Sequence, residues 1–210
     1  MILCVGIDPS LNSTGICLSK YDPDINEELD IHFDIVHNDK LSKKEKIAQD
    51  RYKEFFEYHV INTDKYNKQD ISVSEFEFKK TERLLKCVET IREILNREFY
   101  RNNVYDHAYV CIEGLSYGST RSTKSIFELA GLNYLIRAMI LELFRSSVTL
   151  IISPPSVIKK FATGKGNANK EEIIESFKIA FKDFELPKLD DISDAFFMKE
   201  IAKKEARDNY

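Results

Sequence analysis

The sequence predicts an α/β protein in which one sheet carries helices on both faces. Three short strand patterns come first, at residues 2–7, 15–19 and 31–36, and they predict a meander of neighbouring strands. Helical and strand patterns then alternate along the rest of the chain. Consecutive strands followed by alternating helices and strands are typical of a sheet with helices packed on both faces.

Apolar runs and turn residues define the early elements. The apolar run from Ile2 to Ile7 predicts a buried strand that ends at Asp8. Between Pro23 and Gly114 the chain has neither glycine nor proline, which predicts an ordered and mostly helical stretch. Its two helices are predicted at residues 41–59 and 79–100, joined by a polar connection at 62–70.

The later elements follow from helical spacing and from strand-ending residues. The 79–100 helix has apolar residues at steps of three and four, namely Leu84, Val88, Ile91, Leu95 and Phe99. The next helix, 124–144, is apolar nearly all round, which predicts either deep burial or a subunit interface. Strands are predicted at 108–112 and 148–152, and the last helices at 156–164, 169–181 and 191–204.

Length and composition limit the class of protein. A chain of 210 residues fits one domain, and 43% hydrophobic with 31% charged residues excludes a disordered or fibrous chain. No segment approaches the roughly 18 consecutive apolar residues of a membrane span. The four cysteines form no close pair and no zinc-binding spacing with histidine, so we expect reduced thiols in a cytoplasmic, non-membrane protein.

Charge is unevenly distributed along the chain. Residues 114–170 hold eight Lys or Arg against two Glu, a net +6, whereas residues 171–210 hold seven basic against eleven acidic residues, a net −4. With −4 overall, residues 1–113 carry −6. A basic segment between two acidic ones indicates either a surface for a polyanion or an ordinary solvated face.

Two acidic residues come directly after buried strands. Asp8 follows the first strand, and Glu113 follows the strand at 108–112. The carboxyl ends of strands form the binding crevice of open α/β sheets, so neighbouring strands would project both carboxylates into one cleft. The alternative is that each residue only caps a turn or a helix.

A third acidic group begins the last predicted helix. Asp191 and Asp194 are one helical turn apart and face the same side, while Asp190 is a candidate N-cap. Acidic residues also favour the first turn of any helix, but this explains Asp194 less well than the two before it. Several carboxylates without a suitably placed His or Cys predict a hard cation, Mg²⁺ or Mn²⁺. Two such ions about 3.5–4 Å apart can hydrolyse a phosphodiester.

Four segments in this order resemble the RuvC Holliday junction resolvases: Gly6-Ile7-Asp8-Pro9-Ser10 with Thr14-Gly15, Ile112-Glu113, Gly164-Lys165-Gly166 with Lys170, and Asp191-Ile192-Ser193-Asp194-Ala195. The resemblance implies a ribonuclease H-like fold, a homodimer and Mg²⁺-dependent paired incision of branched DNA, the activity of a crossover junction endodeoxyribonuclease. It implies two metal ions held by Asp8, Glu113, Asp191 and Asp194. Lys159 and Lys170 fall on basic positions near the active site, and Lys170 would stabilise the scissile phosphate.

The basic segment agrees with this resemblance. A helix ending near Gly164, a glycine-containing loop and a helix capped at Asn169, with Glu172 at its third position, predict a phosphate-binding surface. The candidate DNA contacts are Lys159, Lys160, Lys165, Lys170, Tyr117, Arg121 and Lys124. The alternative is a helix–turn–helix with solvated lysines. Where the family often has an aromatic wedge the chain has Ser116, and Tyr117 comes one residue later.

We expect a single domain, residues 1–210, with a helical insertion at about 38–78. With this insertion the chain resembles bacteriophage-type members of the family more than the compact bacterial ones. Some phage members accept forks and three-way branches, so strict four-way specificity is open. Rival functions are a non-catalytic binding module for branched DNA and an actin-like nucleotide-binding protein. The histidines, namely His32, His37, His59 and His107, lie away from every motif and are expected to be structural or exposed.

Overall fold

The computed structural model describes residues 1–61, 71–100, 105–115, 123–181 and 186–210, with only the backbone of Thr123 and Lys124. Six strands lie within these ranges: β1 (Ile2–Asp8), β2 (Ser13–Asp22), β3 (Glu27–His37), β4 (Phe56–Val60), β5 (His107–Glu113) and β6 (Val148–Ser153). The described ranges also contain six helices: α1 (Lys43–Tyr52), α2 (Val73–Tyr100), α3 (Thr123–Phe144), α4 (Pro155–Thr163), α5 (Lys170–Ala180) and α6 (Leu189–Asn209).

The strands form one mixed sheet in the order β4-β3-β2-β1-β5-β6. The meander β1–β2–β3 is antiparallel. The pairs β1–β5, β5–β6 and β3–β4 are parallel. The predicted α/β fold, with a mixed sheet between helices, is confirmed.

Each face of the sheet has its own hydrophobic core. One core lies under α4, α5 and α6 and contains Phe33, Phe177 and Phe196. The other lies under α2 and α3 and contains Ile91 and Ile112. The alternation of side chains along each strand separates the two sets, as the period of two requires.

Helix α6 lies close against the centre of the sheet. A Cβ added at Gly6 would lie 2.0 Å from the Ala195 carbonyl oxygen, and one added at Gly15 would lie 2.3 Å from the Asp191 carbonyl oxygen. Only glycine allows the helix backbone to approach β1 and β2 this closely. The glycines in the first predicted strand pair therefore fix where the α6 carboxylates lie.

The sequence interpretation was wrong at three places. The helix predicted at 41–59 ends at Tyr52, and β4 follows it. Phe56 and Tyr58 share the buried face of β4, so their spacing of two is a strand pattern, although Phe56 also fits a helical face with Tyr52. Three strands, β3, β4 and β5, lie in the glycine-free stretch that was predicted to be mostly helical, and β4 is the one of them without a predicted strand. The N-cap of α6 is Lys188, with φ of 61°, and not Asp190.

Other local predictions are confirmed. Gly164 ends α4 in the left-handed conformation with φ of 79°. Asn169 and Glu172 form the predicted capping box of α5. All four cysteines are buried thiols. Among the helices of the described ranges, none combines the length and apolar character needed to cross a bilayer.

Candidate active site

Asp8 and Glu113 end neighbouring parallel strands at the same edge of the sheet. Ile7 of β1 pairs with Ile112 of β5, so the two acidic residues that follow lie side by side. Both are partly buried. The predicted convergence of the two strand-end carboxylates is therefore present in the fold.

The first turns of α6 bring the other two carboxylates to this edge. Ile192 and Ala195 are fully buried against the sheet and hold the helix in place. Asp191 and Asp194 flank them and are partly buried. The close contact between Gly15 and the Asp191 backbone places this end of the helix over the β1–β2 turn.

The pKa values show that the carboxylates act on one another. Burial raises the pKa of Asp8 well above its ordinary value, and the charges of Asp194, Glu113 and Asp191 raise it further. Burial, followed by the Glu113 charge, raises the pKa of Asp194 to about 7. Groups that repel one another in this way without a compensating cation destabilise the fold. We call Asp8, Glu113, Asp191 and Asp194 the carboxylate cluster.

Small polar side chains support the cluster. Burial raises the pKa of Asp191, and the hydrogen bond that Ser13 Oγ donates to Asp191 Oδ2 opposes the rise. Asn133 is almost fully buried and donates from Nδ2 to the Glu113 carbonyl oxygen at 2.9 Å. Sequence reasoning missed both residues. The run of small polar residues after Asp8 was a signal for Ser13, whereas Asn133 stands alone on α3 and gave none.

Lys170 begins α5 next to the carboxylate cluster. Its ammonium is hydrogen-bonded to Asp190, which raises the pKa of Lys170, and the charges of Asp191 and Asp194 raise it further. The Lys170 side chain is 61% exposed. It is thus an exposed cation beside an acidic site, and Asp190 is its partner.

The remaining basic residues lie on α4 and on the loop after it. Lys160 and Lys165 are exposed, and Lys159 is partly buried. Lys165 Nζ lies 3.0 Å from Glu172 Oε1, which belongs to the capping box of α5. Tyr117 and Arg121 lie outside the described residues, as does the side chain of Lys124.

The donors of the carboxylate cluster suit a hard divalent cation, because all of them are oxygens and their mutual repulsion would be relieved by positive charge. The carboxylate oxygens of this cluster do not form a group whose donor atoms all lie within 4.8 Å of one another. Within the described part of the chain, the potential metal ligands whose donor atoms all lie within 4.8 Å of one another are His32, Asp34 and Glu57. That group lies on β3 and β4, apart from the carboxylate cluster.

No protein-family model matches the chain, and no curated protein matches it significantly. Solved structures do match. RuvC from Thermus thermophilus is 14% identical, with 97% of this chain and 96% of that chain covered and a TM-score of 0.51. The T. thermophilus RuvC in complex with a Holliday junction substrate is 17% identical, with 100% and 97% covered and a TM-score of 0.57. Over nearly its full length, the chain has the ribonuclease H-like fold of RuvC.

Proposed function

We propose that this protein is a metal-dependent endonuclease that resolves Holliday junctions, and other branched DNA, by a pair of incisions. The observation that carries the proposal is the convergence of four carboxylates, from β1, β5 and α6, at one edge of a RuvC-type fold. A carboxylate cluster with raised pKa values in a cleft is typical of a catalytic metal site. The bound junction in the T. thermophilus RuvC complex supports the substrate class.

In this proposal Asp8, Glu113, Asp191 and Asp194 hold two Mg²⁺ ions, for which Mn²⁺ can substitute. When bound, such a pair supplies an activated water and neutralises charge on the leaving oxygen. The carboxylates themselves fix the ion positions, and Ser13 holds Asp191 in one rotamer through its hydrogen bond. Asp8 and Glu113 provide the rigid side of the site because both belong to the central strands.

Basic residues would position the DNA. Lys170 would exchange its bond with Asp190 for the scissile phosphate, since it is exposed and already beside the carboxylates. Lys159, Lys160 and Lys165 would contact flanking phosphates. Tyr117, Arg121 and Lys124 complete the proposed DNA-binding set. Each phosphate contact adds roughly 0.9 to the slope of log affinity against log salt.

The proposal includes a homodimer with two active sites related by a two-fold axis. Its basis is a stripe of exposed apolar side chains on α3. Phe127, Tyr134 and Leu141 are 72%, 60% and 52% exposed. Their seven-residue spacing places them on one helix face, where a second copy would cover them. A bacteriophage origin and action in the host cytoplasm belong to the same proposal.

The test is cleavage of end-labelled four-way, three-way and linear DNA with Mg²⁺, beside a Glu113→Gln control. We expect paired symmetric nicks in the four-way junction that the control lacks, and the three-way substrate measures how broad the activity is. If junctions bind but are not cut in Mg²⁺ or Mn²⁺, the protein is a binding module. If they neither bind nor are cut, the proposal is wrong.

A further inference from the structure

A second group of potential metal ligands lies on the edge of the sheet furthest from β6. It consists of His32 and Asp34 of β3 with Glu57 and His59 of β4, and we call it the β3–β4 cluster. Asp34 pairs with Glu57 in the parallel register of the two strands. These side chains face α2, on the opposite side of the sheet from α6, since Phe33 and Ile35 between them belong to the other core.

The donor atoms of this cluster are close together. His59 Nε2 lies 2.6 Å from Asp34 Oδ1 and 3.7 Å from Glu57 Oε2. His32 Nε2 lies 3.8 Å from Asp34 Oδ1. The ligands of a tetrahedral Zn²⁺, at about 2.0–2.1 Å from the ion, are roughly 3.3 Å apart. The donor atoms of His32, Asp34 and Glu57 all lie within 4.8 Å of one another, and His59 joins this group through its hydrogen bond with Asp34.

Two of these donors lack a hydrogen-bond partner although they are buried. The Asp34 side chain is 0% exposed, and its Oδ2 accepts no hydrogen bond. His32 Nε2 is likewise buried and unpaired. An unsatisfied buried polar atom costs on the order of 1–3 kcal/mol in general, so two of them in one place require an explanation.

The charged side chains around the β3–β4 cluster have an excess of negative charge that a cation would balance. Arg97 of α2 lies 3.7 Å from Asp34 and 3.5 Å from Glu57, and its Nε lies 3.0 Å from Glu98. One guanidinium thus faces three carboxylates, which leaves a net charge of about −2 when both imidazoles are neutral. One divalent cation would balance it.

We propose that the β3–β4 cluster binds one structural Zn²⁺ ion through His32, Asp34, Glu57 and His59. Mixed imidazole and carboxylate ligands favour Zn²⁺ over Mg²⁺, which prefers oxygen alone. The ion would fasten the edge strand β4 to β3, and it would satisfy the unpaired atoms of Asp34 and His32. A cavity of about 230 Å³ beside His32, lined also by Asp30, Glu54 and Glu98, gives access from solvent. The site is independent of the proposed nuclease function.

The experiment measures Zn²⁺ binding to chelator-treated protein by calorimetry and by thermal melting. We expect one Zn²⁺ per chain from this site and a melting temperature raised by about 5–10 °C at 100 times the dissociation constant. His32→Ala should weaken this binding by 10-fold or more. His59→Gln should do the same while keeping a hydrogen-bond donor for Asp34, so it separates loss of the ligand from loss of the fold. Melting in EDTA checks that each variant is folded.

Two controls locate the ion. His107→Ala removes a histidine of the same sheet that contacts Thr149 and lies outside the cluster, and it should bind Zn²⁺ normally. Glu113→Gln should retain the same site while losing any nuclease activity. Binding that Glu113→Gln abolishes, and that the His32 and His59 variants leave unchanged, would place the ion in the carboxylate cluster and overturn the inference. Absence of Zn²⁺ binding would overturn it too.

Discussion

The two halves of α6 differ in how their buried charges are paired. In its first turns Asp191 and Asp194 face Asp8 and Glu113, and the repulsion among these four carboxylates is opposed by the nearby charges of Lys170 and Lys188 only in part. Two turns later, Lys199 is fully buried, lies 2.6 Å from Glu28 Oε1 and is also hydrogen-bonded to Glu200. The same helix therefore carries one charge cluster that is fully paired and one in which like charges predominate.

The pKa values show the same contrast. Burial pushes the pKa of Glu28 up, but the charge and hydrogen bond of Lys199, together with the hydrogen bonds of Lys203 and Ser19, outweigh it, and the pKa lies below its ordinary value. At Asp8, burial and the neighbouring charges act in the same direction and raise the pKa. Like charges held close together lower the stability of a fold. Their presence at one end of α6, beside paired charges further along the same helix, is typical of a functional site.

Removal of the compensating charge should have the largest effect on stability. Lys199→Met leaves Glu28 and Glu200 with Lys203 as their nearby cation, and breaking a buried ion pair costs about 3–5 kcal/mol of unfolding free energy. Denaturant unfolding measures the loss. Lys204→Met, an exposed lysine of the same helix paired with Asp208, is the matched control and should cost less than about 1 kcal/mol. Equal losses in both variants would contradict the comparison.

Neutralising one member of the carboxylate cluster should do the opposite. At a pH where Asp8 is ionised, Asp8→Asn removes a buried charge that neighbouring carboxylates repel, so the metal-free protein should gain about 1 kcal/mol of stability, or roughly 2–4 °C in melting temperature. Junction cleavage should fall by roughly 100-fold or more, because a ligand of the metals is lost. Cleavage assays and melting in EDTA measure the two changes. A variant that is both less stable and less active would indicate that Asp8 is a structural residue.

The pH dependence follows from Asp194. Its pKa in the folded protein is about 7, against 3.8 ordinarily, so its protonated form is favoured by folding. The stabilisation is complete below about pH 4 and is lost as the pH rises through about 7. Asp194→Asn should therefore melt a few degrees above the unsubstituted protein at pH 8, with the gap closing towards pH 5. Mg²⁺ should close the gap at pH 8 by stabilising the unsubstituted protein. A gap independent of pH would contradict the assignment.

The sequence alone predicted the ends of strands better than the contacts between elements. Asp8 and Glu113 were found because each follows an apolar run, and a strand end is a local feature. The edge strand β4 was missed because Phe55 and Phe56 fit a helical face, whereas Phe56 and Tyr58 fit a period of two, and only burial against β3 decides between them. The β3–β4 cluster was missed because His32 and His59 are brought together only by strand pairing, across 27 positions of sequence.

Ser13 was missed for the same reason, and it provides the finest test of the carboxylate cluster. Its hydroxyl reaches Asp191 across 178 positions of sequence, and its side chain is almost fully buried. Ser13→Ala should leave Asp191 less well oriented and weaken the affinity for Mg²⁺ by about 10–100-fold. The maximal cleavage rate at saturating Mg²⁺ should change much less. Ser13→Thr, which keeps the hydroxyl, should restore the affinity.

The measurement is the Mg²⁺ dependence of junction cleavage, with DNA binding in Ca²⁺ as a check that the substrate still docks. A fall in the maximal rate at unchanged Mg²⁺ affinity would give Ser13 a part in the chemistry. Equal behaviour of Ser13→Ala and the unsubstituted protein would mean that Asp191 is held by the packing of Ile192 and Ala195 alone. The expected result is a weaker Mg²⁺ affinity with a nearly unchanged maximal rate. A hydrogen bond to a charged group contributes about 1.5–3 kcal/mol, which is enough to orient a metal ligand but too little to replace one.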